Sequence, residues 1–140
     1  VTALSERDAA AIGEALAGLE RDVAVRLELG PTAVSVALLT ARGGELDSGA
    51  ETRALVEAVC ALSDGVTLDV VERTEPGPWP QLTIGDGLVY RGMPLGYELT
   101  SLVFAIAEAG RAEPSLAPAS RARLAELDGP LELLVYVTPT

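Results

Sequence analysis

The chain has 140 residues and a mass of 14.5 kDa, enough for one domain with a proper core. Its formal charge is −11, every one of its ten cations is arginine, and histidine is absent. An acidic surface repels phosphate backbones, and a chain without histidine has no Ser-His or Cys-His nucleophile pair and no imidazole metal site.

The single cysteine excludes an internal disulfide and any CxxC centre. No apolar run approaches membrane-spanning length, and no basic region followed by an apolar core opens the sequence. The expectations are therefore no nucleic acid, no membrane, no metal, no cofactor and a cytoplasmic location. The acidity itself reads as a solvated surface that keeps the protein soluble.

Ser5 followed by Asp8 predicts a capped first helix, with Leu4 stapled onto Ala9 and an inner stripe of Ile12, Leu16 and Leu19. Val23 to Leu29 alternates. Val23, Val25, Leu27 and Leu29 point one way and Arg26 and Glu28 the other, which predicts a strand with one wet face near a sheet edge. Gly30-Pro31-Thr32-Ala33 breaks it, and Val34 to Thr40, apolar on both faces apart from Ser35, reads as a central strand.

Ala41 to Asp47 is a glycine-bearing loop, and Ser48-Gly49-Ala50-Glu51 is a capping box. The helix it starts runs to about Leu62, with Leu55, Val56, Val59 and Leu62 inward, and Ser63-Asp64-Gly65 stops it. Val66, Leu68 and Val70 make the next strand. Strand, helix and strand in that order imply a right-handed parallel crossover.

Thr74 to Pro80 is a proline-rich loop, and Trp79-Pro80, an aromatic-proline step before a strand, is a candidate cis peptide. Gln81 to Ile84 and Leu88 to Arg91 read as a hairpin around Gly85-Asp86-Gly87. Those glycines lack the strand-to-helix context of a phosphate cradle.

After the rigid Gly92-Met93-Pro94-Leu95-Gly96 connection, Leu99, Leu102, Val103, Ile106 and Gly110 share one face of a helix. Phe104, Ala105 and Ala107 make that helix apolar beyond one stripe, so something outside the repeat is expected to cover it. Pro118 opens a last helix, with Leu124 and Leu127 inward and Arg121 and Arg123 toward solvent, and Asp128-Gly129-Pro130 ends it. The tail LELLVYVTPT reads as a buried strand. Tyr90, Tyr97 and Tyr136 are expected to pack rather than to act as acids.

The order β-α-β, proline, β-hairpin, helix from Val34 to Gly110 resembles the core of a thioredoxin-like fold. GMPLGYELTSLVFAIAEAG resembles the glycine-proline-glycine, aromatic, glutamate segment in the first half of tandem thioredoxin-fold proteins. These are the protein disulfide oxidoreductases (glutaredoxin-like proteins) and the N-terminal domain of the alkyl hydroperoxide reductase flavoprotein subunit. ALSDGVT is similar to their helix end and following strand. LDGPLELLVYVTPT is similar to the start of their second half, where a Thr-Pro-Thr turn leads into a Cys-Pro-Tyr-Cys-type motif.

The resemblance implies an α/β, three-layer thioredoxin-like fold with a mixed central sheet. Residues 1–112 would be a repeat lacking CxxC, and residues 113–140 a linker helix and the first strand of a following repeat. In the family a CxxC can stand between the central strand and its helix. Here Thr40 to Ser48 holds no cysteine, so that half cannot perform the thiolate attack of disulfide exchange.

No catalytic residue is assigned, and Cys60, without a resolving partner, reads as a buried, inert thiol. Glu45 and Asp47 read as solvated loop carboxylates. Trp79, Pro80 and Gln81 are the candidate groove for an extended partner segment, weighed against a turn that only positions a strand.

Three functions follow, one of them an enzyme using Cys60 alone. The first is a redox-inactive domain scaffolding an adjoining CxxC-bearing repeat, or meeting a disulfide of a partner protein. The alternative is a stand-alone binding or dimerisation module with no redox role, a homodimer formed through the Phe104 helix.

Overall fold

The structure, a computed structural model, describes residues 4–31 and 48–136. The elements run α1 (Glu6–Leu16), β1 (Val23–Leu29), α2 (Ser48–Cys60), β2 (Val66–Glu72), β3 (Gln81–Ile84), β4 (Leu88–Arg91), α3 (Tyr97–Ala109) and α4 (Pro118–Ala125). Ser5 caps α1 as its sequence predicts: its hydroxyl accepts from the Asp8 backbone N–H at 3.1 Å and donates to the Asp8 carboxylate at 2.7 Å. Helix α2 includes Ser48 itself, so the position where its cap would sit lies outside the described residues.

The sheet is mixed, in the order β2-β1-β3-β4. Strand β1 pairs parallel with β2, from Val23 opposite Val66 to Leu29 opposite Glu72, and antiparallel with β3, Leu27 facing Leu82. Val23–Leu29, between β2 and β3, is therefore a central strand and not an edge strand. Val34 to Thr40, assigned to the centre from its composition, lies outside the described residues.

The physical reason for the misplacement is that alternation reports which faces of a strand are covered, not how many neighbours it has. Helices α1, α2 and α3 share one core cluster with Val23, Val25, Leu27 and Leu29. On the opposite face Ala24, Arg26, Thr67 and Asp69 are exposed, and no helix among the described residues covers them.

The core sits between the sheet and these three helices, where Leu27, Val59, Leu82 and Ile106 are fully buried. Gly110, the buried end of α3, locks the far corner. Its carbonyl accepts from Glu20 and Arg21 at 2.8 and 3.0 Å. A Cβ there would lie 2.4 Å from Leu19 Cδ2 and 3.1 Å from Val23 Cγ2. Gly110→Ala should therefore lower stability by about 1–3 kcal/mol through overpacking. A thermal midpoint unchanged from wild type would show that Leu19 moves aside freely.

The C-terminal part departs from its expected packing. Helix α4 buries no residue, and Leu124 and Leu127, predicted to face inward, are half exposed. Residues 131–136 join no ladder of this sheet, and Leu131, Leu133, Leu134, Val135 and Tyr136 are 61–90% exposed. Tyr90 is half-buried as expected, but Tyr97 and Tyr136 stand in solvent rather than packing. Arg123 is exposed, whereas Arg121 is half-buried and ion-paired with Glu113 at 2.6 Å.

Candidate functional site

The sequence-predicted groove residues lie at the edge of the sheet where β1 and β2 end and β3 begins. Antiparallel pairing sets Gln81 opposite Glu28, and parallel pairing sets Leu29 opposite Glu72. The first turns of α2 reach the same edge, because the Arg53 guanidinium lies 3.3 Å from the Glu72 carboxylate while also holding Glu57 at 2.8 Å. The candidate groove thus shares an edge with the first turns of α2. Glu45 and Asp47 lie outside the described residues.

The loop from Arg73 to Pro80 is stitched to the end of β1. The Arg73 backbone N–H donates to Leu29 O at 2.7 Å and that of Gly77 to Pro31 O at 3.0 Å. The Trp79 ring lies against two glycines: a Cβ on Gly30 would come within 2.8 Å of Trp79 Cδ1, and one on Gly77 within 2.6 Å of the indole. The indole N–H donates to Glu75 O at 2.9 Å, and the Arg73 guanidinium sits 5.9 Å from the ring centroid, within cation–π range.

Next, the Trp79–Pro80 peptide bond is cis. Pro80 is buried and its carbonyl accepts from Gly92 N–H at 2.9 Å. The backbone N–H and C=O of Trp79 itself carry no hydrogen bond among the described residues.

Gln81 belongs to a row of polar side chains that crosses the sheet on its open face. Arg91 Nε donates to Gln81 Oε1 at 3.0 Å, Gln81 Nε2 donates to Glu28 Oε2 at 3.0 Å, and Arg73 Nε donates to Glu28 Oε1 at 2.9 Å. A second Arg73 nitrogen, Nη2, also donates to Glu28 Oε1. The Glu28 side chain is only 9% exposed. Placing Glu28 on the wet face identified its direction but not its burial, because the Arg73 loop folds over that end of the strand. Glu28 and Arg73 are the functional candidates that sequence reasoning missed. Their signal was in the register, which only the parallel pairing of β1 with β2 reveals.

Cys60 sits in the last turn of α2, the opposite end from the candidate groove, and burial pushes its thiol up to about 11. Burial, with the Glu98 carboxylate nearby, also raises the Tyr90 hydroxyl above its usual range. One group was not foreseen: the Thr52 hydroxyl, near the start of α2, is fully buried without a hydrogen-bond partner among the described residues. Among the described residues no cluster of three or more His, Cys, Asp or Glu is placed to hold a metal, and no helix is long and apolar enough to cross a membrane.

No protein-family model matches the chain, and no curated protein sequence matches it. Solved structures do. The alkylhydroperoxide reductase AhpF of Enterococcus faecalis, solved as a mutant, is similar over 89% of this chain and 61% of its own, at 19% identity and a TM-score of 0.69. A protein disulfide oxidoreductase from Aeropyrum pernix is similar over 92% of this chain and 57% of its own, at 23% identity and a TM-score of 0.71.

The N-terminal domain of the E. faecalis AhpF, solved separately, is similar over 87% of this chain and 60% of its own, at 19% identity and a TM-score of 0.67. The mixed sheet and its helices therefore form a thioredoxin-like fold. The chain spans about three fifths of the length of each of these structures.

Proposed function

We propose that the chain is a thioredoxin-like domain with no thiol chemistry of its own, which scaffolds an adjoining CxxC-bearing unit in dithiol–disulfide electron transfer. The observation that carries this reading is the run Leu131 to Tyr136. Its five large apolar side chains are 61–90% exposed, in a stretch whose composition is that of a buried strand. Such a stretch is satisfied when it enters another sheet.

The lone cysteine, buried with its thiol pushed up to about 11, supports the absence of exchange chemistry in this part. The similar structures, an alkylhydroperoxide reductase and a protein disulfide oxidoreductase, suggest the chemistry of the whole. The unpaired peptide unit of Trp79 adds a place where an extended segment of a partner can form backbone hydrogen bonds, with Pro80 and Gln81 as its floor.

The coding sequence beyond Thr140 tests this. A Cys-x-x-Cys within the next few codons supports the scaffold reading, and a stop codon there defeats it.

A second reading, a homodimer without redox role, is favoured by Tyr97 and Phe104, which are 80% and 68% exposed on α3. Phe104 rims an open apolar hollow of about 530 Å³ between α1 and α3. Sedimentation separates the two, because a dimer dissociated by Phe104→Asp supports this second reading and a monomeric wild type removes it.

A further inference from the structure

We propose that Glu28 is the positioning residue of the Trp79 turn, the clamp that holds its unpaired peptide unit ready for a partner strand. This rests on the docking reading above. Glu28 sits on the face of the sheet that no described helix covers, where its neighbours Arg26 and Asp69 are both exposed. Yet its own side chain is 9% exposed, and both carboxylate oxygens are filled by Arg73 and Gln81. Charge-assisted bonds of this kind are the strong ones, and removing the partners of a carboxylate so enclosed is costly.

The consequence runs outward through Arg73. Its guanidinium joins Glu28 to the Trp79 ring, and its backbone N–H ties the loop to Leu29. The shallow hollow beside it is lined by Glu72, Glu75 and Trp79, so competing carboxylates lie within the same space. Without the charge on Glu28 the guanidinium turns to those carboxylates and leaves the indole. From the other side, one acceptor oxygen remains where there were two, so the amide of Gln81 is held by a weaker, uncharged bond and the first residue of β3 loosens. Both flanks of the Trp79 peptide unit therefore depend on one carboxylate.

Trp79 is the only tryptophan, so its fluorescence reads this turn alone. In Glu28→Gln, acrylamide quenching of Trp79 should rise about twofold, and Arg73→Gln should do the same. The double variant should add little, because the two act as one unit. Asp69→Asn breaks the neighbouring Arg26–Asp69 pair on the same face and should leave the quenching unchanged. Affinity for a capped hexapeptide of alternating threonine and valine should fall about fivefold in Glu28→Gln and stay level in Asp69→Asn, the size expected for one lost hydrogen bond.

Unchanged Trp79 quenching in Glu28→Gln, or an equal rise in Asp69→Asn, overturns the positioning role. A wild-type chain that ignores the hexapeptide while Glu28→Gln still exposes Trp79 overturns the docking reading and leaves the clamp in place. If Glu28→Gln does not fold, Arg73→Gln tests the same clamp from its more exposed end.

Discussion

Leu27→Ala should destabilise the domain by about 3–5 kcal/mol, the upper part of the range for emptying a rigid core site. Leu27 is fully buried, with Val70 beside it on β2 and Leu82 on β3, so it lies in the middle of the sheet and not at its rim. Its side chain points into the cluster shared with α1, α2 and α3. Neighbours held in hydrogen-bonded ladders on both sides cannot collapse into the vacated space, and this incomplete relaxation enlarges the cost.

Arg26, one residue earlier, points the opposite way into solvent and holds only an exposed ion pair with Asp69, so Arg26→Ala should cost no more than about 1 kcal/mol. Urea unfolding of the two variants gives the comparison, read as midpoints at a common slope. A Leu27→Ala loss below about 1.5 kcal/mol would mean that Val23–Leu29 is not the interior strand.

That contrast also marks what the sequence could and could not disclose. The boundaries of Val23–Leu29, Gln81–Ile84 and Leu88–Arg91 were readable because turn residues flank strands of plain composition, and Gly85-Asp86-Gly87 turns the chain where it should. Position across the sheet was not readable. Val23–Leu29 has a dry side and a wet side because helices cover one face of the sheet, and an edge strand would show the same alternation.

The candidate site follows a similar rule. Trp79, Pro80 and Gln81 were visible as an aromatic-proline step before a strand. Glu28 and Arg73 were not, since 45 positions separate them in the chain and only the parallel register brings them together. Leu124, Leu127, Tyr97 and Tyr136 were assigned to packing by their chemistry, and the structure leaves them exposed. Apolar character states what a side chain gains by burial, not whether this chain supplies the surface that buries it.

Cys60 should react with iodoacetamide about a hundredfold more slowly in the folded chain than in urea at neutral pH. An ordinary thiol titrates near 9.0, burial holds this one at about 11, and each pH unit is a factor of ten in thiolate. The position agrees, since the residue is 5% exposed in the last turn of α2, packed in the core cluster.

The same shift fixes a pH dependence. Because the folded thiol holds its proton more tightly than the unfolded one, this contribution to stability is complete below about pH 9. It is lost as the pH rises from about 9 to about 11. Urea midpoints should therefore fall across that window in the wild type and fall less in Cys60→Ala, whose own lower baseline is set by the lost sulfur. A folded-state labelling rate equal to the rate in urea would place Cys60 in solvent and reopen the case for a working thiol. A suppressed rate, with a smaller pH effect in the substituted chain, identifies Cys60 as a buried thiol that does no exchange at neutral pH.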